Sequence, residues 1–368
     1  TMRSTLPTFN EVWQRQFRSS VLSQLQAFPA QTKFLIGCSG GMDSMLLLHL
    51  LSFLCPEKVR AIYIDHQLQS PSAAWGALVQ ATCQNLNVPC ILQKVSVCEG
   101  NLENQARQAR YQAYMQHLDS DEVLVLAHHQ QDQAETVLIG LLRSRGVDAL
   151  AGMPQVFTRS GVTFARPLLT LTRDETTGLC EDLGVEYWDD PTNGDAVDGE
   201  LPNDYPLRSR VRHDLLPAIE RFAGFNVTRH FAESARLARM DKEYLDQRSD
   251  EVMGEAVAAV DWPASSAAVS TDTPRACAAD DTNDSGHGIG LMIGVKRIAR
   301  EPEAIRLRVI AHALSQAGVN ASAAQIAAID RLVVDWHGQG GVSLPRGYSA
   351  NRKKHVIRVC QDGAHANR

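Results

Sequence analysis

The 368-residue chain is 44% hydrophobic and 21% charged, values of a folded globular protein that exclude a mostly disordered or collagen-like chain. Its length suggests two domains, or one large domain with a smaller companion. The net charge of −6 is unevenly divided. Residues 291–368 carry 12 Lys and Arg against 5 Asp and Glu, a net of +7 that leaves −13 for the first 290 residues. A basic C-terminal module of this kind suits phosphates, although a solvated basic surface accounts for the charge equally well. The longest apolar run, Met45 to Leu54, is broken by His49 and Ser52 and falls short of the ~20 residues a membrane span needs. No secretory signal pattern opens the chain, and the eight cysteines include no C-x-x-C pair. A reducing cytoplasm is therefore expected, and a disulfide framework or zinc ribbon is not.

From Lys33 to about Trp188, short apolar runs alternate with helical patterns. Strands are expected at Phe34–Cys38, Val59–Ile64, Cys90–Val95, Val123–Ala127 and Thr163–Ala165. Helices are expected at Ser44–Leu54, Ala73–Leu86, Leu102–Leu118, Ala134–Arg143 and Arg173–Leu183. This alternation reads as βαβ units in an α/β fold with a doubly wound parallel sheet, whose ligands sit beyond the carboxyl ends of the strands. Asp189 to Pro206 reads as an irregular surface segment. A long helical stretch from about Arg210 to Val260 follows it. Pro263 to Gly290 has hardly any large apolar residues and reads as a flexible linker or long loop. Helices at Glu303–Gln316 and Ser322–Val334 with strand-like ends give a small α+β module.

The strongest signal is Phe34–Cys38 running into Ser39-Gly40-Gly41-Met42-Asp43-Ser44 and then an apolar helix. Adjacent glycines let the backbone approach a ligand closely, and the helix start aims unpaired N–H groups at it, which together make an anion cradle. No Gly-Lys-Ser/Thr follows, so the loop is not a Walker A loop, and the glycine spacing excludes a dinucleotide fingerprint. Asp43 among phosphates makes sense as a Mg²⁺ ligand. A tight turn with Ser44 as helix N-cap is the plain alternative.

Val123–Ala127 leads into His128-His129-Gln130-Gln131-Asp132-Gln133-Ala134-Glu135-Thr136. On a helix, His128, Asp132 and Glu135 share one face, which sets acidic groups beside the expected phosphate and metal. No third strong ligand is spaced for zinc, and a capped surface helix is the plain alternative. The helix from Leu102 carries Glu103, Arg107 and Arg110 at ordinary ion-pair spacing.

The SGGxDS loop resembles that of the N-type, or PP-loop, ATP pyrophosphatases, which cleave ATP between the α- and β-phosphates and transfer AMP to an oxygen. Asp65-His66, Glu103–Tyr111, AHHQQDQAET at 127–136, Arg143–Gly152, Arg166-Pro167-Leu168-Leu169, Asp189–Asn193 and Arg208–Pro217 follow in the order of the tRNA(Ile)-lysidine synthetases. This resemblance covers residues 33 to 220. Residues 291–359 look, more weakly, like that family's small substrate-binding domain, and the extra C-terminal domain of longer members is expected to be absent. The implied division is a helical extension (1–30), a PP-loop domain (31–220), a helical linker with an acidic loop (221–290) and a basic tRNA-binding domain (291–360).

The resemblance implies ligation of lysine to C2 of the wobble cytidine of a CAU-anticodon isoleucine tRNA, through an adenylated intermediate. ATP, Mg²⁺, free L-lysine and that tRNA are the implied ligands; no membrane is involved, and a homodimer is left open. Matching positions assign Ser39, Gly40, Gly41, Met42, Asp43, Ser44 and His66 to ATP, with Asp43 also toward metal. They assign Asp132 and Glu135 to lysine, with Asp43, Arg107, Asp132 and Glu135 catalytic. Arg143, Arg145, Arg208, Arg210 and Arg212 are assigned to tRNA. The sequence departs from the family at Gln131, where a second aspartate is usual, at Ser209, where Asn is usual, and at Gln67, where Gly is frequent. The rival readings are another PP-loop tRNA-modifying enzyme, such as a 2-thiolation enzyme, and a catalytically decayed tRNA-binding relative.

Overall fold

The computed structural model describes residues 18–66, 72–95, 102–144, 146–189, 197, 199–263 and 287–361. The chain forms two compact units, Thr1–Met240 and Asp241–Arg368.

The first unit contains β1 (Lys33–Gly37), β2 (Val59–Asp65), β3 (Cys90–Lys94), β4 (Glu122–Val125), β5 (Val156–Arg159) and β6 (Val162–Ala165). They form one sheet in the order β3-β2-β1-β4-β6-β5. All neighbours are parallel except the edge pair β5–β6. The central strands are apolar on both faces, as parallel strands covered on both sides must be. Phe34, Ile36, Ala61, Val123 and Val125 face one core, and Leu35, Ile62, Leu124 and Phe164 face the other. All five expected strands are present. The additional strand β5 belongs to a hairpin whose turn, Ser160-Gly161, takes positive φ at both residues (52° and 77°). This two-residue turn matches the twist of the flanking strands.

The helices of this unit are α1 (Met42–Leu54), α2 (Ser72–Asn85), α3 (Leu102–His117), α4 (Gln130–Arg143), α5 (Val147–Leu150) and α6 (Arg173–Leu183). Helix α4 starts four residues before the expected Ala134, because His129 caps it. Of the expected N-terminal extension, residues 1–17 lie outside the described residues; Arg18–Leu22 and Ser23–Gln26 are helical turns.

The long helical stretch expected over about 210–260 divides into several elements, the last of which is not helical. Helix α7 (Leu207–Arg210) passes through a π-type turn, Val211–Leu215, into α8 (Leu216–Ala223). Gly224, at φ +74°, ends α8 in the left-handed region that glycine adopts without steric cost. Helix α9 (Val227–Ala256) follows, and Val257–Pro263 is strand β7 rather than helix. The apolar residues of that stretch find a pairing partner in β8, and tertiary pairing overrides helix propensity there.

The second unit is a five-stranded antiparallel sheet in the order β7-β8-β11-β10-β9, with β8 (His287–Gly294), β9 (Val342–Ser343), β10 (Tyr348–Lys353) and β11 (Val356–Gln361). Helices α10 (Val295–Ile298), α11 (Glu303–Gln316) and α12 (Ala323–Val334) share its core through Val309, Ile310, Ile329 and Leu332 against Ile293, Ile357 and Val359. Residues 264–286 of the expected linker lie outside the described residues. Arg306 is absorbed internally by a two-point pair with Asp330 at 2.7 and 2.9 Å. Arg352 lies over the Trp336 ring at 4.6 Å. Lys353, Lys354 and His355 stand exposed at the β10–β11 hairpin tip.

Candidate active site

In this sheet β1 lies between β2 and β4, so the strand order reverses beside it. Loops after β1 and β4 therefore diverge to opposite faces and leave a crevice at their carboxyl ends, where ligands bind in such sheets. The two strongest sequence motifs occupy those two loops.

After β1 the backbone turns at Gly40, whose φ of +85° belongs to the region that disfavours side chains. Gly41, extended at φ −75°, caps α1 without a side-chain bond. Ser44 is thus not the N-cap. It ties the loop from inside the first turn: its hydroxyl accepts from Ser39 N at 3.1 Å and donates to Gly41 O at 2.9 Å. Trp188 N donates to Gly40 O at 2.9 Å, and the Trp188 ring rests against Trp75. Met42, expected among ATP contacts, has its side chain in the core, where Thr177 Oγ1 reaches its sulfur, so only its backbone faces the loop. Cys38 is buried, and burial pushes its thiol up to about 11, so it stands as a neutral core thiol.

After β4, His129 caps α4 reciprocally with Asp132. Gln131 N donates to His129 Nδ1 at 3.1 Å, and His129 N donates to Asp132 Oδ2 at 2.9 Å. Because Nδ1 accepts, the imidazole proton sits on Nε2, 3.5 Å from Asp43 Oδ2 and 3.7 Å from Asp132 Oδ2. His129 therefore bridges the phosphate loop and the acidic helix. His128 lies before the helix rather than on its face. It accepts from Arg166 Nε at 3.3 Å, and burial pushes its imidazole down to about 3, which keeps it neutral. Arg166 is itself buried, donates to Pro154 O at 2.7 Å and is lowered to about 10 by burial.

Asp132 and Glu135 are both buried, and Arg208 and Arg212 roof them. Arg208 Nε donates to Glu135 Oε2 at 2.8 Å and its Nη2 to Asp132 Oδ1 at 3.1 Å. Arg212 Nε donates to Glu135 Oε1 at 2.6 Å and its Nη2 to Asp132 Oδ1 at 3.0 Å. Two carboxylates against two guanidiniums are charge-balanced, so Gln131 removes no charge that this network needs. Burial by itself would raise the Asp132 carboxyl, but the imidazoles of His129 and His128 beside it and the charged guanidiniums of Arg208 and Arg212 hold it well below the usual carboxylate range. Burial likewise opposes the Arg212 charge, and Glu135 and Asp132 outweigh it and raise its pKa.

The basic segment thus separates into two kinds of residue. Arg208 and Arg212, one helical turn apart, point to the carboxylates, and Arg210 has no such carboxylate bond among the described residues. Arg143 is exposed at the end of α4 and Arg107 is exposed on α3 over the Tyr111 ring at 5.5 Å. His66 follows β2; burial and Arg110 lower its pKa, and its Nδ1 is buried with no partner among the described residues. Arg145 and residues 190–193 of the Asp189–Asn193 motif lie outside the described residues. Sequence reading missed Arg173, whose Nη1 donates to Asp43 Oδ2 at 2.9 Å. A lone Arg at a helix start carries no signal until the strand order brings it to the loop.

Among the described residues no group of three His, Cys, Asp or Glu gathers to hold a metal. Asp43 Oδ1, however, is buried without a hydrogen-bond partner among the described residues. One carboxylate at a phosphate loop fits a hard cation that takes its remaining ligands from phosphate and water. No described helix is long and apolar enough to cross a membrane.

An α/β sheet with a glycine-rich anion loop at its reversal point, faced by a carboxylate pair, defines a PP-loop domain, and residues 12–219 match the family model of that description. Residues 295–359 match the TilS substrate binding domain. The tRNA(Ile)-lysidine synthase of Bifidobacterium longum strain NCC 2705 is 77% identical over 343 residues, 91% of this chain and 88% of that protein. That of Bifidobacterium animalis subsp. lactis strain AD011 is 43% identical over 344 residues, 90% of this chain and 86% of the relative. That of Thermobifida fusca strain YX is 32% identical over 356 residues, covering 94% and 97%. The chain belongs to the tRNA(Ile)-lysidine synthase family.

Proposed function

We propose that this chain joins free L-lysine to C2 of the wobble cytidine of a CAU-anticodon isoleucine tRNA, using ATP and releasing AMP and pyrophosphate. The observation that carries the reading is His129, which links Asp43 of the phosphate loop to Asp132 of the buried acid pair. Adenylation and lysine attack thereby fall within one crevice. The cytosine O2 attacks the α-phosphorus, pyrophosphate leaves, and C2 becomes open to the lysine amine, which expels AMP. Backbone amides of the Ser39–Ser44 loop offset the phosphate charge. Asp43 would hold a Mg²⁺ ion, which would supply charge neutralisation at the phosphates.

The lysine ammonium is assigned to Asp132 and Glu135, and Arg208 and Arg212 yield part of their bonds to it. Arg107, Arg143, Arg145 and Arg210 serve the tRNA, which is recognised also by the second unit. The test is pyrophosphate release from ATP, with and without lysine and the tRNA. Release that requires the tRNA, with labelled lysine entering it, supports the reading. Tight tRNA binding with no pyrophosphate under any condition would overturn it in favour of a decayed binder.

A further inference from the structure

Helix α6 begins at Arg173, and its start is fixed in place. Thr172 caps it, accepting from Glu175 N at 3.2 Å, while Thr172 N donates to Glu175 Oε2 at 2.8 Å. From that fixed origin the Arg173 guanidinium reaches the phosphate loop. Its Nη1 lies 2.9 Å from Asp43 Oδ2 and 3.5 Å from His129 Nε2. Segments following β1, β4 and β6 thus converge on a single carboxylate oxygen. The other oxygen of that carboxylate is buried and has no hydrogen-bond partner among the described residues, which no purely structural ion pair requires.

The Arg173 side chain is 46% exposed, against 30% for Arg208 and 27% for Arg212. An ion pair with so much water around the cation is worth little. A pyrophosphate group offers a planar guanidinium more charge and two-point geometry than one carboxylate oxygen does. The pair is therefore poised to exchange partners when phosphates enter the loop.

We propose that Arg173 is a phosphate-binding residue of the ATP site, held on Asp43 in the nucleotide-free protein and transferred to the β- and γ-phosphates when ATP binds. This rests on the reading of Ser39–Ser44 as the ATP loop. The exchange releases Asp43, which would then be free to hold a divalent cation beside the phosphates. As the bond from cytosine O2 to the α-phosphorus forms, the α-phosphorus bond to the bridging oxygen breaks and its electron pair passes to pyrophosphate. Arg173 stabilises the charge gathering on that leaving group.

The test is calorimetric titration of the full chain with inorganic pyrophosphate in EDTA, where no divalent cation contributes. Arg173→Ala should weaken binding tenfold or more, and Arg173→Lys should restore part of it. Asp43→Asn should tighten binding several-fold, because it frees Arg173 and removes a repelling carboxylate. Adding Arg173→Ala to Asp43→Asn should abolish that gain. A gain that survives in the double variant, or an Arg173→Ala affinity equal to wild type, would overturn the role of Arg173. Binding of ATP with Mg²⁺ by the wild type reports separately on the loop: if it binds ATP and only the Arg173 effects are missing, this proposal fails alone. Thermal melting of each variant shows that a lost affinity is not lost fold. A structural role would move the melting temperature without moving pyrophosphate affinity.

Discussion

Arg212 grips Glu135 with two parallel hydrogen bonds, Nε to Oε1 at 2.6 Å and Nη2 to Oε2 at 3.2 Å, and Glu135 has no exposed surface. Together with Arg208 it leaves both Glu135 oxygens occupied. A residue assigned to a substrate is thus also an anchor of the fold, tying α4 to the α7–α8 segment.

Glu135→Gln should therefore cost stability as well as activity. Breaking a buried ion pair costs about 3–5 kcal/mol, and the water that still reaches both guanidiniums should reduce this to about 2 kcal/mol. Denaturant unfolding with an unchanged m-value checks it; a loss under about 0.5 kcal/mol would mean the pair is not holding the segment.

Arg210 and Arg212 should behave differently although a single residue, Val211, separates them. Arg210→Glu should weaken tRNA binding and lower the salt slope by about one while leaving the melting temperature near wild type. Arg212→Glu, set against Glu135 and Asp132, should lower the melting temperature as well. Equal melting temperatures would place both on the open surface.

Gly40→Ala should weaken ATP binding while the rest of the fold persists. A Cβ there meets nothing closer than 3.6 Å, so the penalty is conformational. Holding alanine at φ +85° costs about 1–2 kcal/mol, and relief of that strain would reshape the loop. ATP affinity falling about tenfold, with circular dichroism unchanged, is the expected outcome. Unchanged affinity would show that the loop's amides are not used.

Acid should destabilise the protein in two windows. His128 is lowered to about 3, so between that value and the unfolded value of about 6.5 the unfolded chain binds the extra proton, and stability falls as pH drops through this range. The slope approaches about 1.4 kcal/mol per pH unit per proton. Asp132 is held low, so its contribution is complete above its unfolded value of about 3.9 and is lost as pH falls further toward its folded value. Denaturation curves from pH 7 to 3 test both: His128→Asn should flatten the upper window and Asp132→Asn the lower. An unaltered upper slope in His128→Asn would show that His128 is not kept neutral by burial.

The sequence determined the strand–helix alternation, because buried parallel strands need continuous apolar runs such as Phe34–Ile36 and Val123–Val125. It also determined the phosphate loop, because an anion cradle is a local device of glycines and a helix start. The early start of α4 and the β5–β6 hairpin were written in His129 and Ser160-Gly161, but as cap and turn chemistry that apolar spacing does not report. Tertiary structure decided which charges meet. Sequence distance does not say that Arg208 and Arg212 cover Glu135, or that Arg173 reaches Asp43 across 130 residues. Those pairings follow from the parallel strand order β2-β1-β4-β6, which gathers the segments after β1, β4 and β6 at the carboxyl end of the sheet. Charge pairing in a buried site is non-local, so a row of arginines alone does not show which ones face solvent and which neutralise a carboxylate.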